Sequence, residues 1–218
     1  MTETEFHPTA VIFDMDGLML DTERPMIPTW TKAGELFGWV ISQETVIRTI
    51  GMNGEGTRAV FMRELGPDFP YEKIRDEHHR LYSETFEKRV DMKPGLITLL
   101  DHLDSLGIPM AVATSSRRRG ASWKLGMVGI LDRFTALACG DEVEKGKPAP
   151  DVFLLAAERL GKKPAECIGF EDSPAGLQAL HAAGIHSVFV KDLVEPPPDI
   201  LAAVWRRYNV LSEAVVLF

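Results

Sequence analysis

A doubly wound parallel α/β sheet carrying an inserted block of helices is the fold this sequence predicts, and three observations predict it. Short apolar runs alternate with longer amphipathic stretches over most of the chain, the alternation that marks βαβ units. The runs are apolar at consecutive rather than alternate positions, as in strands covered on both faces. Between residues 23 and 90 this rhythm stops, and helical patterns follow one another without a convincing strand. The chain therefore divides into an α/β core, residues 1–22 and 91–218, and an all-helical insert, residues 23–90.

Taken in order, the predicted strands are AVIF (10–13), PMAVAT (109–114), ALAC (136–139), CIGF (167–170) and SVFV (187–190). Amphipathic stretches at 95–106, 117–126, 150–160 and 174–183 supply the intervening helices. Pro94 opens the first of these and Gly107 closes it; Pro174 and Gly184 frame the last. Within the insert, TWTKAGELFGW, SQETVIRTI, EGTRAVFMREL and YEKIRDEHHRLYSETFEKRV read as successive helices. At the end, YNVLSEAVVLF predicts a short strand at 208–210 and a terminal helix, after the stiff link EPPPD (195–199).

With 218 residues, 45% of them hydrophobic, the chain suits one medium domain or a domain plus a smaller insert, and is compatible with a monomer. A net charge of −8 argues against nucleic acid or an anionic membrane as partner. No apolar stretch approaches the ~20 residues that span a bilayer, and the acidic start MTETEFHPTA resembles neither a signal nor a transit peptide. Cys139 and Cys167 lie in apolar surroundings without metal-ligand spacing, so they read as reduced core residues of a cytoplasmic protein.

The chemistry gathers at the predicted strand ends, where ligands bind in open parallel sheets. In FDMDG, Asp14 directly follows the first strand and Asp16 points to the same side two residues on, while Gly17 permits a sharp turn beside a ligand. Two carboxylates this close need a cation between them or a proton on one; alone, the tripeptide reads first as turn hydrogen bonding, and the other strand ends change that balance. ATSS sets Thr114, Ser115 and Ser116 at a helix start, which serves a cap or an anion, and one of the three hydroxyls is expected to cap. GKPAPD supplies Lys147, with Lys145 as a competitor, and GFEDSPAG supplies Glu171 and Asp172. Ser173 precedes Pro174 and is better placed than Asp172 to cap the last helix, leaving Asp172 for a metal. The carboxylate oxygens of Asp14, Asp16, Glu171 and Asp172 suit a hard cation such as Mg²⁺. Thr114, Lys147 and the turn amides around Gly17 and Ser115 suit a phosphoryl group.

FDMDG, ATSS, GKPAPD and GFEDSPAG, in this order over residues 13–176, resemble the motifs of the haloacid dehalogenase-like superfamily, in the branch with a helical cap after the first strand of a Rossmann-like core. The chain looks most like that branch's small-metabolite phosphatases and β-phosphoglucomutase-like members. The resemblance implies that Asp14 is the nucleophile, forming an aspartyl-phosphate. Asp16 is implied as the acid and base, with its carbonyl on Mg²⁺. Thr114 and Lys147 are implied on the phosphoryl oxygens, Asp172 on the metal, and Glu171 beside it or joined through water. The implied reaction is Mg²⁺-dependent hydrolysis of a small phosphorylated metabolite such as a sugar phosphate.

The mutases of the branch carry a His where this chain has Met26 and a cap Arg close to Gly54, with Arg58 one turn on. Hydrolysis is therefore expected, with a phosphomutase as the alternative. A phosphoacceptor signalling module is less apt, because its acidic pair and acceptor Asp occupy separate strands and it lacks an insert of this size. Substrate choice is expected in the cap, with GMNGEG (51–56) as a flexible loop; Arg48, Arg58 and Trp30 are candidate contacts, though each reads first as an ordinary structural or surface residue. His78 and His79 are expected on a solvated helix face, and Arg117–Arg119 crowd a helix start where the dipole disfavours cations.

Overall fold

A computed structural model describes residues 6–52, 54–86 and 89–218. The strands are β1 (Ala10–Phe13), β2 (Met110–Thr114), β3 (Ala136–Cys139), β4 (Cys167–Glu171), β5 (His186–Val190) and β6 (Arg206–Tyr208). They form one sheet in the order β3-β2-β1-β4-β5-β6, and every neighbouring pair is parallel. Helices α5 (Leu96–Ser105), α6 (Arg118–Met127), α7 (Asp151–Arg159), α8 (Pro174–Ala183) and α9 (Pro198–Ala202) lie between the strands.

The consecutive apolar pattern of the strands follows from burial on both faces. Val11, Ile12 and Phe13 are each fully buried. Successive side chains alternate across the sheet: Ile12 joins Ala111, Ala113 and Ala138 against Phe153 of α7 and Leu180 of α8, while Phe13 stacks on Phe170 at 5.1 Å. The strand order reverses between β1 and β4, where Phe13 pairs with Phe170. In open parallel sheets, ligands bind beyond the carboxyl ends of the strands at such a switch point.

The chain separates into two compact units, Met1–Leu20 with Met92–Phe218, and Asp21–Asp91. The second unit holds α1 (Met26–Leu36), α2 (Gln43–Ile47), α3 (Gly54–Leu65) and α4 (Tyr71–Phe86) and is all-helical. Trp30, Ala33, Ile41, Val46, Phe61, Phe69, Tyr71 and Ile74 form its core. Ser42 caps α2 by accepting from the Thr45 amide at 3.0 Å.

Several local expectations need correction. His78 does not face solvent: it is 3% exposed, stacks on Trp30 at 4.3 Å and meets Thr29 Oγ1 at 3.0 Å, so α4 turns this residue inward while His79 stays outside. Gly54 begins α3, so the expected 51–56 loop is helical from there, and Asn53 lies outside the described residues. By contrast, Trp30, which belongs to the aromatic core, and Arg48 and Arg58, which pair with Glu64 and Glu72, take the structural roles the sequence favours for them. The last strand runs from Arg206 to Tyr208, because it pairs Arg206 with Val188 and Tyr208 with Val190; a 3₁₀ turn over Leu211–Leu217 follows it. Gly95, rather than Pro94, directly precedes α5. None of the ATSS hydroxyls caps α6: Arg117 holds that position without a side-chain bond, and Asp141 Oδ1 accepts the Arg118 amide at 2.9 Å.

Candidate active site at the strand ends

Asp14 follows β1 at the switch point, where its amide donates to the Phe170 carbonyl at 3.0 Å. Its carboxylate is buried, and Lys147 Nζ donates to Oδ1 at 2.5 Å. The same ammonium donates to Glu171 Oε1 at 2.7 Å. One cation thus bridges carboxylates from two adjacent strands, and the Lys147 side chain is only 6% exposed. It also lies 4.6 Å from the Phe153 ring, which favours a cation there. Lys145 stays exposed, which resolves the choice between the two lysines.

The other oxygen of Glu171 is equally engaged. Oε2 accepts the Asp172 amide at 2.8 Å, the Ser173 amide at 2.7 Å and the Ser173 hydroxyl at 3.0 Å. The first turn of α8 must come close for this, and Gly176 makes it possible: a Cβ at that position would sit 1.6 Å from Glu171 Oε1. Ser173 caps α8 through the Gly176 amide at 3.1 Å, as expected, which leaves Asp172 facing the acidic group.

Burial pushes the Asp14 carboxyl well above the usual carboxylate range, and the Lys147 ammonium pulls it back. Burial alone would lower Lys147, but Asp14 and Glu171 outweigh it and hold the ammonium charged. Carboxylate oxygens of Asp14, Glu171 and Asp172, all buried, lie within 4.8 Å of one another. Three converging hard oxygen donors with an excess of negative charge fit a small divalent cation and suit no soft metal.

Asp16 stands apart from this bridge. Its Oδ1 pairs with Lys124 Nζ at 2.5 Å, and its Oδ2 accepts from the Ser116 hydroxyl at 2.7 Å and, at a long 3.4 Å, from Thr114. Thr114 ends β2, is buried, and accepts the Ser116 amide at 3.0 Å; Ser115 is exposed on the same loop. Gly17 provides the turn, with φ 89°, rather than a donor for a ligand, because its N–H goes to the Leu20 carbonyl at 2.9 Å. Asp14, Asp16, Thr114, Lys147, Glu171 and Asp172 therefore converge at one strand edge, while Gly17 shapes the loop.

Two contributors escaped the sequence reading. Lys124 was absorbed into an amphipathic helix, although its place one turn from buried Ala121 and beside buried Leu125 marks it as lying at the edge of the inner face. Glu142 takes bonds from Arg118 and Arg159 and is held down at about 2, by Arg159 first and then by Arg118. Both arginines also reach the Leu137 carbonyl, tying α6 and α7 to the segment that leads to Lys147. Arg118 is thus committed to structure.

The family model for haloacid dehalogenase-like hydrolases matches residues 11–190. A phosphorylated carbohydrates phosphatase of Thermotoga maritima is 31% identical over 94% of this chain and 99% of its own length. A fructose-1-phosphate phosphatase of Escherichia coli is 35% identical over 84% of this chain and 96% of its own. Among solved structures, a β-phosphoglucomutase of Clostridium difficile superposes with a TM-score of 0.76 at 25% identity, covering 94% of this chain and 92% of that one.

Proposed function

Since the chain belongs to the haloacid dehalogenase-like hydrolases, we propose that it is a Mg²⁺-dependent phosphatase of a small phosphorylated metabolite, acting through Asp14. The observation that carries this reading is the buried bridge from Lys147 to Asp14 and Glu171 at the switch point. Lys147 holds Oδ1 of Asp14, which leaves Oδ2 to attack phosphorus as the bond to the leaving oxygen breaks. Asp16 gives the leaving oxygen its proton. It then takes a proton from the water that attacks the aspartyl-phosphate, so that phosphate departs and Asp14 is regenerated. Thr114 and Lys147 receive phosphoryl oxygens, and the lysine offsets charge that burial makes unfavourable on Asp14. Asp14, Asp172 and the Asp16 carbonyl would hold Mg²⁺, with Glu171 beside it. When bound, the ion supplies divalent positive charge to the phosphoryl oxygens.

The relatives named for carbohydrate and fructose-1-phosphate hydrolysis support a sugar phosphate as the substrate class. Likeness to a β-phosphoglucomutase keeps a phosphomutase as the second reading, and Met26 and Gly54 favour hydrolysis over it. Among the described residues, no helix is long and apolar enough to cross a membrane. Burial pushes the thiols of Cys139 and Cys167 up to about 11, which disfavours the thiolate and fits reduced core cysteines in a cytoplasmic setting.

A panel of phosphorylated metabolites incubated with Mg²⁺, read for free phosphate and for isomerised sugar phosphate, tests this. Steady phosphate release that a chelator abolishes is expected. Isomerisation without phosphate release would establish the mutase, and a lasting phosphoprotein without turnover would overturn both readings.

A further inference from the structure

The acid–base residue of the proposed reaction is held by a side chain that no other part of the mechanism uses. Lys124 reaches from α6 to Oδ1 of Asp16 at 2.5 Å, while Ser116 donates to Oδ2 at 2.7 Å. The two holds arrive on opposite oxygens and from different segments, so together they fix both the side-chain rotamer and the plane of the carboxyl group. The Lys124 and Asp16 side chains are 16% and 29% exposed, so the pair is partly shielded from solvent. Ordering a long lysine chain costs side-chain entropy, and what that ordering fixes here is the carboxyl group of Asp16.

We propose that Lys124 is a positioning residue: with Ser116 it clamps both oxygens of Asp16 and aims that carboxyl at the leaving oxygen. This rests on the phosphatase reading above. A general acid must stand within hydrogen-bond reach of the atom it protonates, and misplacement by about 1 Å removes on the order of 100-fold in rate. Lys124 itself touches neither phosphorus nor the leaving oxygen in this scheme; it acts only through Asp16.

The leaving group separates this role from a structural one. An alkyl alkoxide departs only with a proton, whereas the phenolate of p-nitrophenyl phosphate is stable without one. The experiment compares kcat/KM, which covers steps up to phosphoryl transfer, for p-nitrophenyl phosphate and for the alkyl phosphate that performs best in the metabolite panel. Wild type, Lys124→Met, Asp16→Asn and the double variant are measured. Lys124→Met is expected to lose about 10–100-fold on the alkyl ester and no more than about 3-fold on the aryl ester. In the Asp16→Asn background the same change is expected to add nothing, since the residue it serves is already disabled. Equal losses on the two esters, additive losses in the double variant, or no loss on the alkyl ester would overturn the assignment. The aryl-ester rate also reports whether Lys124→Met folds. If wild type releases phosphate from neither ester, the phosphatase reading fails first; if it turns over both and the selective loss is missing, only the role of Lys124 fails.

Discussion

The two units of this chain bury polar groups by opposite means. At the strand ends of the α/β unit, the Asp14 and Glu171 carboxyl groups are buried together, and the one ammonium of Lys147 bridges them. In the helical unit, His78 is buried as a neutral ring: burial, and next the neighbouring His79, push it down to about 3. Trp30 lies against it, and Thr29 meets its Nδ1. A neutral imidazole packed on an indole is an ordinary way to fill a helical core. Buried carboxylates held by one lysine are costly to desolvate, and apolar residues of similar shape would often serve stability as well. The contrast teaches where to look for chemistry: in the unit that keeps charge where burial opposes it.

The largest expected effect falls on activity alone. Asp14→Asn should lower phosphate release by at least about 10³-fold, because the attacking oxygen is lost. Its urea unfolding midpoint should match or exceed that of wild type, since burial works against the charge on Asp14. A variant that is inactive because it is unfolded would break the contrast between the units. Lys147→Met sharpens it from the other side: two buried carboxylates would lose their common cation, and stability should drop by about 3–5 kcal/mol in equilibrium unfolding. Adding Asp14→Asn to Lys147→Met should recover part of that loss, as only one charge then remains unpaired.

Trp30→Ala tests the neutral core. With Trp30 2% exposed and packed on Phe61, Tyr71 and His78, the helical unit should lose about 3–5 kcal/mol by urea unfolding. The smallest effect, taken per pH unit, is a pH slope. His78 titrates lower in the folded state than unfolded, so below pH 6.5 the unfolded chain takes up a proton that the folded chain refuses. Stability should therefore fall as pH drops from 6.5 towards 3, by up to about 1.4 kcal/mol per unit. His78→Phe, which keeps the stacking, should flatten that slope by one proton in unfolding curves collected between pH 6.5 and 4.

Much of this was legible in the sequence, and the gaps have physical causes. Strands β1 to β5 were readable because burial on both faces keeps their central positions apolar, the polar residues Thr114, Glu171, His186 and Ser187 standing at or next to strand ends. β6 was displaced by two residues because it is an edge strand whose Arg206 and Arg207 are exposed, so it carries no apolar signature. The acidic pairs could be found because each follows an apolar run, and Lys147 because Pro148 and Pro150 stiffen the backbone beside it. His78 was misread because it sits in RDEHHR, where charged neighbours conceal one inward-facing ring. Lys124 was hidden for the converse reason, a charged residue on a helix whose apolar face is narrow. Pairing across 108 positions, as between Lys124 and Asp16, leaves no trace in local periodicity.

The central claim is that Asp14, balanced by Lys147, takes the phosphoryl group. Rapid acid quench during turnover, followed by hydroxylamine treatment and peptide mass spectrometry, interrogates it most directly. A hydroxamate on the Asp14 side chain, absent without substrate, is the predicted result. Undiminished turnover with Asp14 unmodified at every quench time, or a modification carried by another carboxylate, would contradict it.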